Sequence, residues 1–240
     1  MSDPPDIDSV LVERFAHGNG TVFVGAGISL GSRLPSWSEL MSHLRTDLGK
    51  EVGPSTDYLH IAELFETKHG RLVLVQYLKD RLGDVRFQLT KTHELIVSLP
   101  VQRIYTTNFD TLLEQASQKK QVNRNVIFNT SHVGFSDTST LSIVKLHGDL
   151  SDPNSIVITA RDFYSYFAKN PAVADLLKVE LQTHTVLFLG YSFSDPNLGM
   201  ILGNSAVSPA RHVHCCIACN SIRASSTSRP CLRGASKCFA

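Results

Sequence analysis

Four strand-like segments in this chain each stop at a polar or glycine-rich turn. "TVFV" runs into "GAGIS" at 25–29, and "VQRIY" into "TTNFD" at 106–110. "LSIVK" runs into "LHGD" at 146–149, and "HTVLFL" into "GYSFSDPN" at 190–197. Short continuous apolar runs bounded by turns read as strands buried on both faces. Amphipathic stretches separate them: "FDTLLEQASQKK", "RDFYSYFAKN" and "PAVADLLKVELQ". Strands alternating with helices predict an α/β fold, a doubly wound, mostly parallel Rossmann-like sheet. Ligands of such sheets bind beyond the carboxyl ends of the strands, so the four turns gather on one ligand-binding edge.

A smaller helical module is expected after the first strand, at about 36–100. "WSELMSHLRTDLG" opens with Ser36 and Glu39 at capping-box spacing. "DYLHIAELFETKHG", "RLVLVQYLKDRLG" and "THELIVSLP" follow. "NVIFN", "SIVIT" and "RHVHCCIACN" are further strand candidates, and "SDPNLGMILG" a further helix. The main domain is expected over 1–204. From 205 to 240 the reading is one last strand and a Ser/Cys-rich basic tail. All five cysteines lie at 215 or later, and the last acidic residue is Asp195. A flexible tail, a truncated joint and an altered reading frame all fit that shift in composition.

A hydrophobic content of 42% suits a buried core, and a net charge of +1 gives no global field for nucleic acid. No stretch reads as a bilayer span, and the acidic N-terminus lacks an apolar signal core, so a cytoplasmic chain is expected. Gly25 and Gly27 permit a tight turn on which a phosphate can approach bare backbone. For an isolated GxG an ordinary strand-to-loop turn is the plainer reading. The third glycine of GxGxxG is replaced by Leu30, and no Gly-Lys-Ser/Thr follows.

Asn108 or Asp110 caps the next helix, or the Asn108 amide fixes a ribose hydroxyl or a water. His147 ends its strand as a structural residue or as a general base, with Gly148 leaving room for a ligand. The remaining histidines, His43, His60 and His93 among them, read as packing or surface residues. His212, His214, Cys215, Cys216 and Cys219 crowd together without the spacing of a zinc knuckle or finger, so no metal site is expected. There is no G-x-S-x-G elbow for a serine hydrolase.

Taken in order, the four turns resemble the sirtuin superfamily, and most closely the SIR2-like NADases of bacterial antiviral defence. The resemblance spans about residues 10–204. Two departures argue against a deacylase: Pro35 is followed by Ser36-Trp37 rather than Asp-Phe-Arg, and no cysteine lies between 148 and 214 to build the zinc module. The resemblance implies that NAD is the substrate and that no metal is required. It implies that Gly25, Ala26, Gly27 and Ser29 contact phosphate and ribose, and that Gly190 and Ser192 contact the adenosine side. Asn108 and His147 become the catalytic pair, with Asp110 in support; Asn220 matches the asparagine after the last strand. It further implies a homo-oligomer and a sensor, on the chain or on a partner such as a short Argonaute or a HerA-like ATPase. A non-catalytic NAD-binding module is the alternative.

Overall fold

The structure is a computed structural model of the 240-residue chain, and it describes residues 9–52, 57–83, 87–134, 139–191 and 213–216. Six strands form its sheet: β1 (Gly20–Val24), β2 (Arg103–Thr106), β3 (Arg124–Ile127), β4 (Leu141–Lys145), β5 (Thr185–Leu189) and β6 (Val213–Cys216). They run in the order β3-β4-β2-β1-β5-β6, and every pairing is parallel. The chain leaves β1 towards β2 on one side and returns on the other through β5. The strand order therefore reverses beside β1, where ligands of doubly wound sheets bind.

Alternation along each strand feeds two cores. Phe23, Tyr105, Val144, Val186 and Phe188 face helices α8 (Ala160–Lys169) and α9 (Pro171–Thr183). Val22, Val24, Ile104 and Ile143 face the opposite way, towards α1 (Ser9–Ala16), α5 (Lys91–Ile96) and α6 (Leu112–Lys119). Both faces are covered, which is why β1 and β5 read as nearly continuous apolar runs. The N-terminal helix α1 had no counterpart in the sequence reading. It buries Leu11 and Phe15.

Between β1 and β2 the described chain is helical. A 3-10 helix over Ala26–Ser32 is followed by α2 (Trp37–Leu48), α3 (Tyr58–His69), α4 (Arg71–Leu82) and α5. Ser36 caps α2 in the expected box: Glu39 N donates to its Oγ, and Ser36 N donates to the Glu39 carboxylate. Helices α2 to α4 share a third core built on Leu40, Leu44, Ile61, Phe65, Leu74 and Leu78. Helix α5 instead places Ile96 in the sheet's own layer.

"SIVIT" is not a strand, which corrects the expectation above. Its alternation is real but serves two cores rather than a ladder. Ile156 and Ile158 enter the helical core, Val157 enters the sheet core, and Val157 N donates to His147 O. Helix α7 (Thr130–Val133) follows β3. The predicted helix "SDPNLGMILG" lies outside the described residues. Among the described residues, no helix is long and apolar enough to cross a membrane.

Candidate active site

The first and last of the four turns meet directly. Gly25 N donates to Leu189 O, and Gly27 N to Gly190 O, each at 2.9 Å. A Cβ on Gly25 would lie 2.5 Å from Gly190 O, and one on Gly27 2.8 Å from the same atom. Gly190 has φ +61, and a Cβ there would lie 2.5 Å from Ile28 N. The three glycines let two backbone turns pack without side chains between them. Ile28 N also donates within the turn, to Gly25 O.

Asn108 and His147 leave neighbouring strands at the same level. Thr106 on β2 pairs with Lys145 on β4, and each site residue follows two positions later. A chain of hydrogen bonds orients the Asn108 amide. Ser29 Oγ donates to Asp110 Oδ2 at 2.9 Å, so it accepts from Asn108 Nδ2 at 3.2 Å. Asn108 Nδ2 also faces the Gly25 carbonyl, at 3.4 Å. Asp110 Oδ1 accepts from Leu112 N at 3.0 Å, so Asp110, not Asn108, supports the start of α6. With its nitrogen committed to two acceptors, Asn108 directs Oδ1 the other way. That oxygen is buried and has no hydrogen-bond partner within the protein. A buried acceptor at this strand-end position is suited to a ribose hydroxyl or a water.

The His147 ring is enclosed by aromatics. It packs edge-to-face on Phe163, with centroids 4.9 Å apart, and against Phe109 at 6.2 Å. Phe109 also meets Trp37, the only tryptophan, at 5.8 Å. These rings exclude water from one side of the imidazole. Gly148 does not leave room for a ligand, which corrects the sequence reading. It has φ +85, and the backbone of Ser155 and Ile156 fills the space a side chain would need.

Sequence reasoning missed Lys145. Its ammonium is fully buried and touches four oxygens: Asp149 Oδ2 at 2.7 Å, Glu114 Oε1 at 3.1 Å, Asp110 O at 3.1 Å and Phe109 O at 3.3 Å. Burial disfavours the ammonium, but the two acids outweigh it and it titrates above the ordinary lysine range. Burial also raises Glu114, and there it prevails over the pull of Lys145. On Asp149 burial is outweighed by Lys145 and Ser151, and the carboxyl is held below its usual range. The principal ion pair is thus Lys145–Asp149. The signal available in the sequence was a lone lysine in an apolar strand. His93, read as packing or surface, is buried on α5 and bonds Thr90 Oγ1 through Nδ1 at 2.8 Å.

Gly25, Ala26, Gly27, Ser29, Asn108, Asp110, His147 and Gly190 are therefore brought to one sheet edge. Ser192 and Asn220 lie outside the described residues. Of the cysteine-rich cluster, His214, Cys215 and Cys216 lie on β6, while His212 and Cys219 fall outside them. Among the described residues, no group of three His, Cys, Asp or Glu side chains is placed to hold a metal. A cavity of about 740 Å³ opens beside Arg33, Leu34 and Pro35, against α2 and α4, and none of the catalytic candidates lines it. Several of its polar groups are already engaged: Glu39 in the α2 cap, Tyr77 Oη with Leu40 O, and Asp80 with Gln76.

The fold and this edge define a doubly wound α/β domain with its candidate residues gathered at the reversal of strand order. The chain belongs to the SIR2-like domain family, whose family model matches residues 102–221, half of the chain. It is 35% identical over 203 residues to the NAD(+) hydrolase ThsA of Enterococcus faecium, covering 81% of this chain and 42% of that protein. It is 28% identical to the ThsA of Bacillus cereus, covering 83% of this chain and 43% of that one. It is 30% identical to defense-associated sirtuin 2 of Bacillus subtilis, covering 80% and 20%. The chain thus spans about two fifths of the length of the ThsA relatives.

Proposed function

We propose that this chain cleaves NAD to nicotinamide and ADP-ribose, as the NAD-depleting effector of a bacterial antiviral defence system. One observation carries the reading: the buried Asn108 Oδ1, oriented by Asp110 and Ser29 and lacking a partner, two residues beyond β2 and level with His147. The names of the similar proteins, NAD(+) hydrolase and defense-associated sirtuin, support it. The reaction suits these residue types. Nicotinamide leaves with the electron pair of its bond to the ribose, as a neutral molecule, so it needs no acid. The sugar passes through an oxocarbenium-like state. Asn108 Oδ1 accepts a hydrogen bond from a ribose hydroxyl or from the attacking water. His147 takes the proton that the water loses, directly or through a ribose hydroxyl. The aromatic wall of Phe109 and Phe163 limits the water that reaches the site.

The work of such an effector lies in the cytoplasm, with a sensor or partner protein and a homo-oligomer controlling it. NAD incubated with the protein under activating conditions is expected to yield free nicotinamide and ADP-ribose. A protein that binds NAD and leaves it intact under every activating condition is instead the non-catalytic module. Two further results are expected. Millimolar NAD raises the melting temperature, because a ligand held only by the native state stabilises it by mass action. An unmoved melting temperature removes the site assignment. NAD cleavage persists in EDTA, and a loss restored by zinc or magnesium refutes the metal-free mechanism.

A further inference from the structure

We infer that Lys145 is a positioning residue for this reaction, its ammonium fixing Asn108 and His147 relative to each other without touching the substrate. The inference rests on the NAD-cleaving reading. Its basis is a juxtaposition: one buried nitrogen ties together the turns that carry both residues. The carbonyls of Phe109 and Asp110 belong to the turn that presents Asn108, and both accept from Lys145 Nζ. Asp149 lies two residues beyond His147, and its carboxylate accepts from the same nitrogen at 2.7 Å. Glu114 brings in the first turn of α6. Asp149 is itself anchored, accepting from Ser151 N at 2.9 Å and from Ser151 Oγ at 2.7 Å.

A hydrophobic side chain of similar length fills the same volume but makes none of these four contacts. Two carbonyls then lose a donor that spans the gap between β2 and β4. A displacement on the order of 1 Å at a reacting centre is enough to cost about a hundredfold in rate. Substrate affinity depends on the whole cleft and changes little.

Lys145→Met alone strands two buried acids and is a poor test, because removing one partner of a buried charge cluster is strongly destabilising. The double variant Lys145→Met/Glu114→Gln leaves only Asp149 charged, still held by Ser151. Against the Glu114→Gln single variant, it is expected to lose at least a hundredfold in kcat. KM for NAD and the NAD-induced melting shift stay within about threefold. In ¹⁵N-histidine-labelled protein, the His147 ring signals, assigned through His147→Gln, are expected to move while those of His43 and His60 stay in place.

A folded double variant with kcat within threefold of Glu114→Gln overturns the inference and makes Lys145 a packing residue. Parallel loss of NAD binding also overturns it, because the lysine then shapes the whole cleft. If the double variant does not fold, Asp149→Asn tests the same tie from its other end. A tenfold or larger loss in kcat at unchanged KM is expected, and unchanged kcat overturns the inference. If the wild-type protein binds NAD but never cleaves it, the functional reading fails, and the His147 signals alone decide whether Lys145 sets the geometry.

Discussion

Asn108→Ala is expected to abolish NAD cleavage while melting at or above the wild-type temperature. The substitution removes hydrogen bonds to Ser29 Oγ and Gly25 O, each worth about 1 kcal/mol net. It also removes the buried, unpartnered Oδ1, whose desolvation costs about 1–3 kcal/mol. The two effects offset each other in stability, whereas nothing replaces the lost acceptor in catalysis. Asn108→Asp fails differently. A carboxylate there faces the Gly25 carbonyl and a hydroxyl whose proton is already given to Asp110. It has no proton to donate to either, so this variant is expected to be inactive and to melt lower. His147→Ala removes the proton acceptor, a loss of about 10²–10⁴ in rate. Nicotinamide release and thermal melting, measured side by side under activating conditions, check all three. A fully active His147→Ala sinks the mechanism, and an active Asn108→Ala reduces the amide to a loop brace.

Gly148→Ala is expected to be strongly destabilising. Its Cβ would lie 2.1 Å from Ser155 O and 2.4 Å from Ser155 C, both backbone atoms that cannot rotate aside. A φ of +85 adds about 1–2 kcal/mol of strain for any L side chain, and overpacking adds about 1–3 kcal/mol more. Roughly 3 kcal/mol in a chain of this size lowers the melting temperature by about 6–12 °C. Gly70→Ala is the matched control. Its φ is +89, but no atom lies within 4 Å of the new methyl, so only the strain remains. If Gly148→Ala melts no lower than Gly70→Ala, the close approach of the 155–156 segment is wrong.

Much of this was legible in the residues, for identifiable reasons. β1 and β5 were readable because burial on both faces leaves nearly continuous apolar runs. The Ser36–Glu39 cap was readable because its chemistry is local. "SIVIT" misled because a period of two says which way side chains point but not whether a neighbouring strand exists. The glycine turns were found, but the sequence suggested an open backbone for a phosphate. The structure shows Gly25 and Gly27 pressed against Gly190, a contact 163 residues away from Gly27 in the chain that no local pattern announces. Lys145 was passed over for the same reason. Its partners Phe109 and Asp110 come from the turn after β2 and Glu114 from the first turn of α6, and only the pairing of β2 with β4 reveals them.

The ring of Phe109 belongs to the core of α2 to α4, where it meets Trp37, while its carbonyl is held by Lys145 and the preceding residue is Asn108. One residue thus has its side chain in the helical block and its backbone beside Asn108, the proposed catalytic amide. Trp37 on α2 packs against this ring, so the placement of α2 and the placement of the Asn108 backbone are set by adjoining parts of one residue's surroundings.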